Sequence, residues 1–191
     1  MKKLWLDMDG VIADFTAGVC KAFDIQFSNE DYPFPLGLWD YIKYLQDKRN
    51  LLWSKVRFVG STASFWQNLS VLPNAKKFYR TLICHFDVRF LTTPTGDFDA
   101  VFDGKRKWLE RHGFAVPHDK RMLLLEPGET KEDYAAPGII LIDDQDSNVQ
   151  KFRHGGGYAV LAPRPWNNRH REFKSFEEAN DMILAELLEI K

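Results

Sequence analysis

Two carboxylates separated by one residue close the first apolar run of the chain, Leu4-Trp5-Leu6-Asp7-Met8-Asp9-Gly10. A strand has a side-chain period of two, so Asp7 and Asp9 face the same way at its carboxyl end while Met8 faces elsewhere. Gly10 then permits a sharp turn out of the sheet. Carboxylates this close repel, and the repulsion needs an answer. A bound Mg²⁺ with oxygen ligands supplies one, and a raised pKa that keeps one carboxyl protonated supplies another. Both suit phosphoryl transfer. Asp7 can attack phosphorus to form an aspartyl-phosphate, and Asp9 can protonate the leaving alcohol and later take a proton from water. The plain alternative is a turn that favours Asp and Gly. The position directly after an apolar strand weighs against it.

Other polar groups follow apolar runs in the same way. Val88-Arg89-Phe90-Leu91 runs into Thr92-Thr93-Pro94, and Ile139-Ile140-Leu141-Ile142 runs into Asp143-Asp144. A hydroxyl at the carboxyl end of a strand can donate to a phosphate oxygen. Asp146 and Asn148 either brace the loop after the paired acids or form a plain surface turn. The five histidines (His85, His112, His118, His154, His170) have no zinc spacing, and there is no Walker-type phosphate loop. Gly155-Gly156-Gly157 most simply makes a turn.

The elements that must hold these groups are strands at 3–7, 88–91, 122–125, 139–142 and 158–161. Most are apolar throughout, as in a parallel sheet covered on both faces. Helices are expected over 75–83, over 98–112 with Gly113 as the stop, and after a Ser175/Glu178 capping box near the end. Strands alternating with helices define an α/β, doubly wound parallel-sheet core. Residues 16–74 break the alternation. They are rich in aromatics and helical in period, carry Pro33 and Pro35, and show no clear strand. The expected division is therefore a catalytic core of 1–15 and 75–191 with a small helical cap of 16–74 inserted after the first strand. A helical extension packed on the side of the sheet is the other reading.

The 26 basic and 27 acidic residues leave a net charge of −1. That balance argues against long nucleic acid or a membrane surface as partner. The apolar stretch after Met1-Lys2-Lys3 is shorter than a secretory signal needs, and with no apolar run of about 18 residues no membrane span is expected. Cys20 and Cys84 lack metal spacing and read as reduced core thiols of a cytoplasmic protein, a disulfide being the lesser reading.

The string Asp7-Met8-Asp9-Gly10-Val11-Ile12-Ala13-Asp14-Phe15 resembles the first motif of the haloacid dehalogenase (HAD) superfamily. Its extension through Ala13-Asp14-Phe15 resembles the 5'(3')-deoxyribonucleotidases. The resemblance implies a HAD-like (Rossmannoid) core and phosphatase chemistry, because an acid stands two residues after the nucleophile. It implies Asp7 and Asp9 as catalytic residues and Thr92, with Thr93 helping, as phosphate ligands. Thr93 stands where many relatives have serine.

The resemblance also implies a lysine that neutralises nucleophile and phosphate. Lys131, between the third and fourth strands, is preferred. Lys105 is second, its plain reading being a side chain that snorkels along Phe102 and Trp108. Mg²⁺ is implied as cofactor, held by Asp7, the backbone carbonyl of Asp9 and Asp144, with Asp143 in support.

Phe15, and after it Phe65 and Trp66, are the candidates for stacking on a nucleobase. Packing within the cap's own core is the alternative for each. The expected substrate is a small nucleotide, a deoxyribonucleoside monophosphate. A sugar phosphate, a nucleic-acid end or a non-catalytic phosphate-binding module stay open, as does a homodimer. Arg164-Pro165-Trp166-Asn167-Asn168-Arg169 either lines the site or forms a surface loop.

Overall fold

The structure is a computed structural model and describes residues 1–29, 32–114 and 121–190. His118 lies outside the described residues.

Five parallel strands form the sheet: β1 (Lys2–Leu6), β4 (Phe86–Thr92), β5 (Met122–Leu124), β6 (Ile140–Asp143) and β7 (Tyr158–Leu161). Their spatial order is β5-β4-β1-β6-β7. All five coincide with the expected apolar runs to within two residues at either end. The chain builds outward from β1 to β4 and β5, then returns to the other side of β1 for β6 and β7. The order therefore reverses between β1 and β6, and a crevice opens there at the carboxyl edge of the sheet. Leu4 pairs with both Val88 and Ile140, which fixes the register across the centre.

The period of two sorts β1 between two cores. Leu4 and Leu6 pack with Val88, Phe90 and Ile142 beneath α5 (Ala75–His85), α6 (Phe98–His112) and α8 (Phe176–Leu188). Trp5 lies on the opposite face with Leu91, Leu141 and Ala159, beneath α7 (Asp146–His154). Gly113 adopts the left-handed conformation that ends α6 (φ 76°). Helix α7 has just two buried apolar side chains, Val149 and Phe152, so periodicity gave little sign of it.

Residues 15–67 contain four helices: α1 (Phe15–Ala22), α2 (Tyr41–Arg49), α3 (Trp53–Gly60) and α4 (Ala63–Gln67). Around them Val19, Cys20, Phe34, Ile42, Leu45 and Val56 form a separate core. The expectation of no strand here needs correction. The two-residue strands β2 (Ala13–Asp14) and β3 (Ser70–Val71) pair antiparallel and pinch the base of this helical segment. Two residues are too short to carry an alternation signal.

Both cysteines are free, but Cys84 is exposed rather than a core thiol, because it lies on the solvent face of α5. Cys20 is buried, and that burial pushes its thiol up to about 12. Among the described residues, no helix is long and apolar enough to cross a membrane.

Candidate active site

The first motif leaves the sheet through a tight turn. The Asp7 amide still belongs to the sheet and donates to the Ile142 carbonyl at 2.9 Å. Beyond it the Ile12 and Ala13 amides donate back to the Met8 carbonyl, and the Gly10 amide donates to Ala13. Gly10 has φ +72°, and a Cβ there would stand 1.8 Å from Asp144 Oδ2. Glycine is therefore required twice, for the backbone and for the space. Asp14 caps α1, accepting from the Ala17 amide at 2.8 Å and from Asn29 Nδ2 at 2.7 Å.

Around Asp7 the charges interlock. Lys131 Nζ lies 2.8 Å from Asp7 Oδ1 and 2.5 Å from Asp143 Oδ2. It is presented by a short 3-10 turn, Lys131–Tyr134, which a capping box between Thr130 and Asp133 holds in place. Burial alone would lower the Lys131 pKa, but the carboxylates of Asp143 and Asp7 outweigh it and hold the ammonium above the usual lysine range. Asp143 is saturated with donors. Besides Lys131 it accepts from the Gln145 amide at 2.8 Å and from Asn148 Nδ2 at 3.2 and 3.3 Å. Asn148 thus braces the loop after β6. Asp146 does too, by accepting from Asn168 Nδ2 at 2.7 Å.

Asp9 has a lysine of its own. Lys105 Nζ reaches Asp9 Oδ2 at 2.6 Å, Thr92 Oγ1 at 2.6 Å and the Thr93 carbonyl at 3.1 Å. Its side chain is 0% exposed, with Nζ 4.3 Å over the Trp66 ring. Lys105 does not snorkel. The close approach of α4 to α6 at Gly104 closes the outward route, and its ammonium turns to the strand tips instead. Both candidate lysines enter the site, and Lys131 is the one beside Asp7. Burial raises the Asp9 pKa; Lys105 pulls it back and Asp7 pushes it up again. Asp9 Oδ1 is buried with no hydrogen-bond partner among the described residues.

Asp7, Asp143 and Asp144 bring one carboxylate oxygen each to within 4.8 Å of one another. All three are buried. The Asp144 carboxyl lies well above the usual range because of burial, then Asp143 and Asp7, with Trp166 and Arg164 acting the other way. At the strand tips the carboxyls of Asp7, Asp9, Asp143 and Asp144 outnumber the cations set against them, the ammoniums of Lys131 and Lys105 and the buried guanidinium of Arg164, and this excess is what a divalent cation would offset. An all-oxygen donor set suits a hard ion such as Mg²⁺. Since Asp143 is already taken by donors, Asp7 and Asp144 are the side chains with capacity left for an ion.

These groups floor a cavity of about 650 Å³. The volume lies within the ~300–1,000 Å³ common for small-molecule sites. Thr93 lines it; Thr92 stands behind, buried, its hydroxyl accepting from Lys105. Phe15 lines it, but Phe65 and Trp66 do not. Trp66 is fully buried, stacked on Phe15 at 5.6 Å, with its Nε1 donating to the Gly60 carbonyl. Phe65 packs edge-on against Phe15 at 5.8 Å. They support the Phe15 ring from behind rather than line the cavity.

The rings sequence reasoning missed are Trp39, Tyr41, Trp53 and Trp166. The first three stood among many aromatics of the segment with no feature to separate them. Trp166 belongs to the stretch left open between site and surface loop. It lines the site, and its Nε1 donates to Asp144 Oδ2 at 2.7 Å.

A parallel sheet with acids at the tips of two adjacent strands, across the point where strand order reverses, is the architecture of the HAD fold. Solved structures share this fold. The HAD-hydrolase YfnB from Bacillus subtilis, bound to magnesium, superposes with a TM-score of 0.56 at 16% identity, covering 96% of this chain and 98% of that one. A haloacid dehalogenase-like hydrolase from Streptococcus pneumoniae gives 0.52 at 15% identity, covering 89% and 88%. Within that class, residues 2–188 match the family described as 5' nucleotidase, deoxy (pyrimidine), cytosolic type C protein, and the chain belongs to it. It is thus a phosphatase of the 5'-nucleotidase type. The human cytosolic-type 5'(3')-deoxyribonucleotidase is 28% identical over 151 residues, covering 76% of this chain and 71% of that protein.

Proposed function

We propose that the protein hydrolyses deoxyribonucleoside monophosphates to nucleoside and phosphate, in a Mg²⁺-dependent reaction through an aspartyl-phosphate on Asp7. The observation that carries the reading is the split environment of the first motif. Asp7 is paired with Lys131 at 2.8 Å, Asp9 is held by Lys105 at 2.6 Å, and both open on one cavity walled by aromatic rings. The substrate follows the family and the human relative, which is a deoxyribonucleotidase by name.

In this reaction an Asp7 carboxylate oxygen attacks phosphorus and the ester P–O bond breaks. Asp9, whose raised pKa favours a bound proton, gives that proton to the leaving oxygen. Water then attacks the aspartyl-phosphate and yields its proton to Asp9, releasing phosphate and restoring Asp7. Lys131 steadies the negative charge where two anions meet. Mg²⁺, held by Asp7, Asp144 and the backbone carbonyl of Asp9 with Asp143 in support, would neutralise phosphate oxygens and position them. Thr93 and Thr92 serve the phosphate, Thr93 from the wall and Thr92 through Lys105.

The helical segment acts as a cap, so that residues 16–74 select the substrate while 1–15 and 75–191 perform the chemistry. Phe15 stacks on the base. We place the enzyme in the cytoplasm, in keeping with the cytosolic type of the human relative.

Phosphate release from a panel of dUMP, dTMP, ribonucleotides and sugar phosphates, with and without Mg²⁺, tests the proposal. The deoxyribonucleotides should lead and EDTA should abolish release. Activity confined to sugar phosphates would sink the substrate while leaving the chemistry intact.

A further inference from the structure

The stretch Arg164–Asn167 carries more buried polar contacts than a connecting loop needs. Arg164, fully buried, donates through Nε to the Gly10 carbonyl at 2.6 Å and through Nη2 to the Val11 carbonyl at 3.0 Å. Asn167 Nδ2 donates to the backbone carbonyls of Asp144 and Ala162 at 2.8 and 2.7 Å. Between them Trp166 donates to Asp144 Oδ2. One short segment beyond the last strand thus grips both the first-motif turn and the loop after β6.

From this geometry we infer that Trp166 is a positioning residue for the metal site, its indole N–H fixing the Asp144 carboxylate so that one oxygen is committed and the other is left for the cation. The inference rests on the metal site of the proposed function. Asp144 Oδ2 sits between the Trp166 donor and Gly10, where even a methyl group would collide. Asp144 Oδ1 has no hydrogen-bond partner among the described residues. A carboxylate tied at one oxygen cannot rotate away, so the cation meets a ligand already aimed. A neutral donor suits this purpose. It holds the carboxylate without adding a further positive charge beside the ion. Groups that orient metal ligands in this way typically contribute ~10–100-fold in affinity. The Trp166 ring also rests against Tyr32 of the helical segment, with centroids 5.9 Å apart, so ring packing and the hydrogen bond can be tested separately.

The experiment is direct Mn²⁺ binding, followed by electron paramagnetic resonance, to wild-type protein, Trp166→Phe and Tyr32→Leu, without substrate. Trp166→Phe keeps a ring and deletes the donor. It should bind Mn²⁺ about 10-fold more weakly and need correspondingly more Mg²⁺ for half-maximal activity. Tyr32→Leu should lower the melting temperature and leave Mn²⁺ affinity unchanged.

Equal Mn²⁺ affinity in wild type and Trp166→Phe would overturn the role of Trp166 while sparing the metal site. No Mn²⁺ binding by the wild type would overturn both. Should Trp166→Phe not fold, ¹⁵N-labelled wild-type protein carries the test. The Trp166 indole signal, assigned through its contact with Tyr32, should exchange slowly and shift on Mg²⁺ addition. An indole signal blind to Mg²⁺ would overturn the inference.

Discussion

The floor of the cavity and its walls are built on opposite physical terms. The floor is made of buried charges at strand tips, each held by a second charge or a directed donor: Asp7 by Lys131, Asp9 by Lys105, Asp144 by Trp166. The backbone beneath it is locked into a parallel sheet. The walls are largely rings carried on short helices with their own small core, and two of the rings, Trp39 and Trp53, are partly exposed at 41% and 45%. A buried ion pair tolerates no loss of a partner, since the remaining charge is stranded. A ring that is half in water can be removed at modest cost. Changes to the floor should therefore act on turnover, and changes to the walls on affinity.

The largest effect is expected at Asp7. Asp7→Asn keeps the shape and deletes the nucleophile, and phosphate release should fall by about 10⁴-fold or more. Wild-type turnover in this variant would sink the assignment and make the floor no different from the walls. Next is Lys131→Met, expected to reduce kcat by about 10²–10³-fold, the scale for removing one group that stabilises charge in the transition state. It should also lower stability in a denaturant melt, because Asp7 and Asp143 then repel unshielded. A Lys131→Met protein that loses stability but keeps kcat would assign Lys131 to the fold alone.

The walls give the contrast. Trp53→Ala should raise KM for dUMP by about tenfold, within the ~1–3 kcal/mol typical of ring stacking on a base. Steady-state kinetics should find kcat nearly unchanged and a melting curve close to wild type. A fall in kcat with constant KM would mean that the walls take part in the chemistry, and the division between the two regions would fail.

The same division decided what could be read from the sequence. Acids directly after apolar runs are legible, because a buried strand has few reasons to end in Asp-x-Asp or Asp-Asp, and sheet topology brings such ends together. Lys131 was suggested only by the resemblance, which implies a lysine between the third and fourth strands. Lys105 was half-legible: a lysine on an apolar helix face demands a reason, but which way its ammonium turns depends on α4 closing the outward path at Gly104. The walls were illegible because rings that pack and rings that face a cavity share one composition. Trp66 went into the core, while Trp39 and Trp53 went to the cavity, a choice set by how short helices and the loop before α2 dock. Trp166 lay beyond the last strand, with no motif around it, and its role depends on the loop folding back onto Asp144.

The smallest effect concerns pH, and it separates the regions by stability rather than rate. In the metal-free protein burial raises the carboxyls of Asp9, Asp143 and Asp144 above their ordinary values. Above about pH 4 the folded protein therefore binds more protons than the unfolded chain, and its stability falls as pH rises through those raised values. Lys131, held above the usual lysine range, stays charged throughout and adds no slope in this window. A cation that takes the place of the protons should stabilise more as pH rises. Mg²⁺ should then raise the melting temperature by a few degrees more at about pH 7.5 than at about pH 5, on the scale of ~2–4 °C per kcal/mol for a chain of this size. Scanning fluorimetry with and without Mg²⁺ at the two pH values measures the difference, and Trp53→Ala should show the same difference because no floor carboxyl is altered. An equal Mg²⁺ shift at both pH values would mean that protons and cation do not compete at the strand tips, and the floor would lose the electrostatic character that sets it apart from the walls.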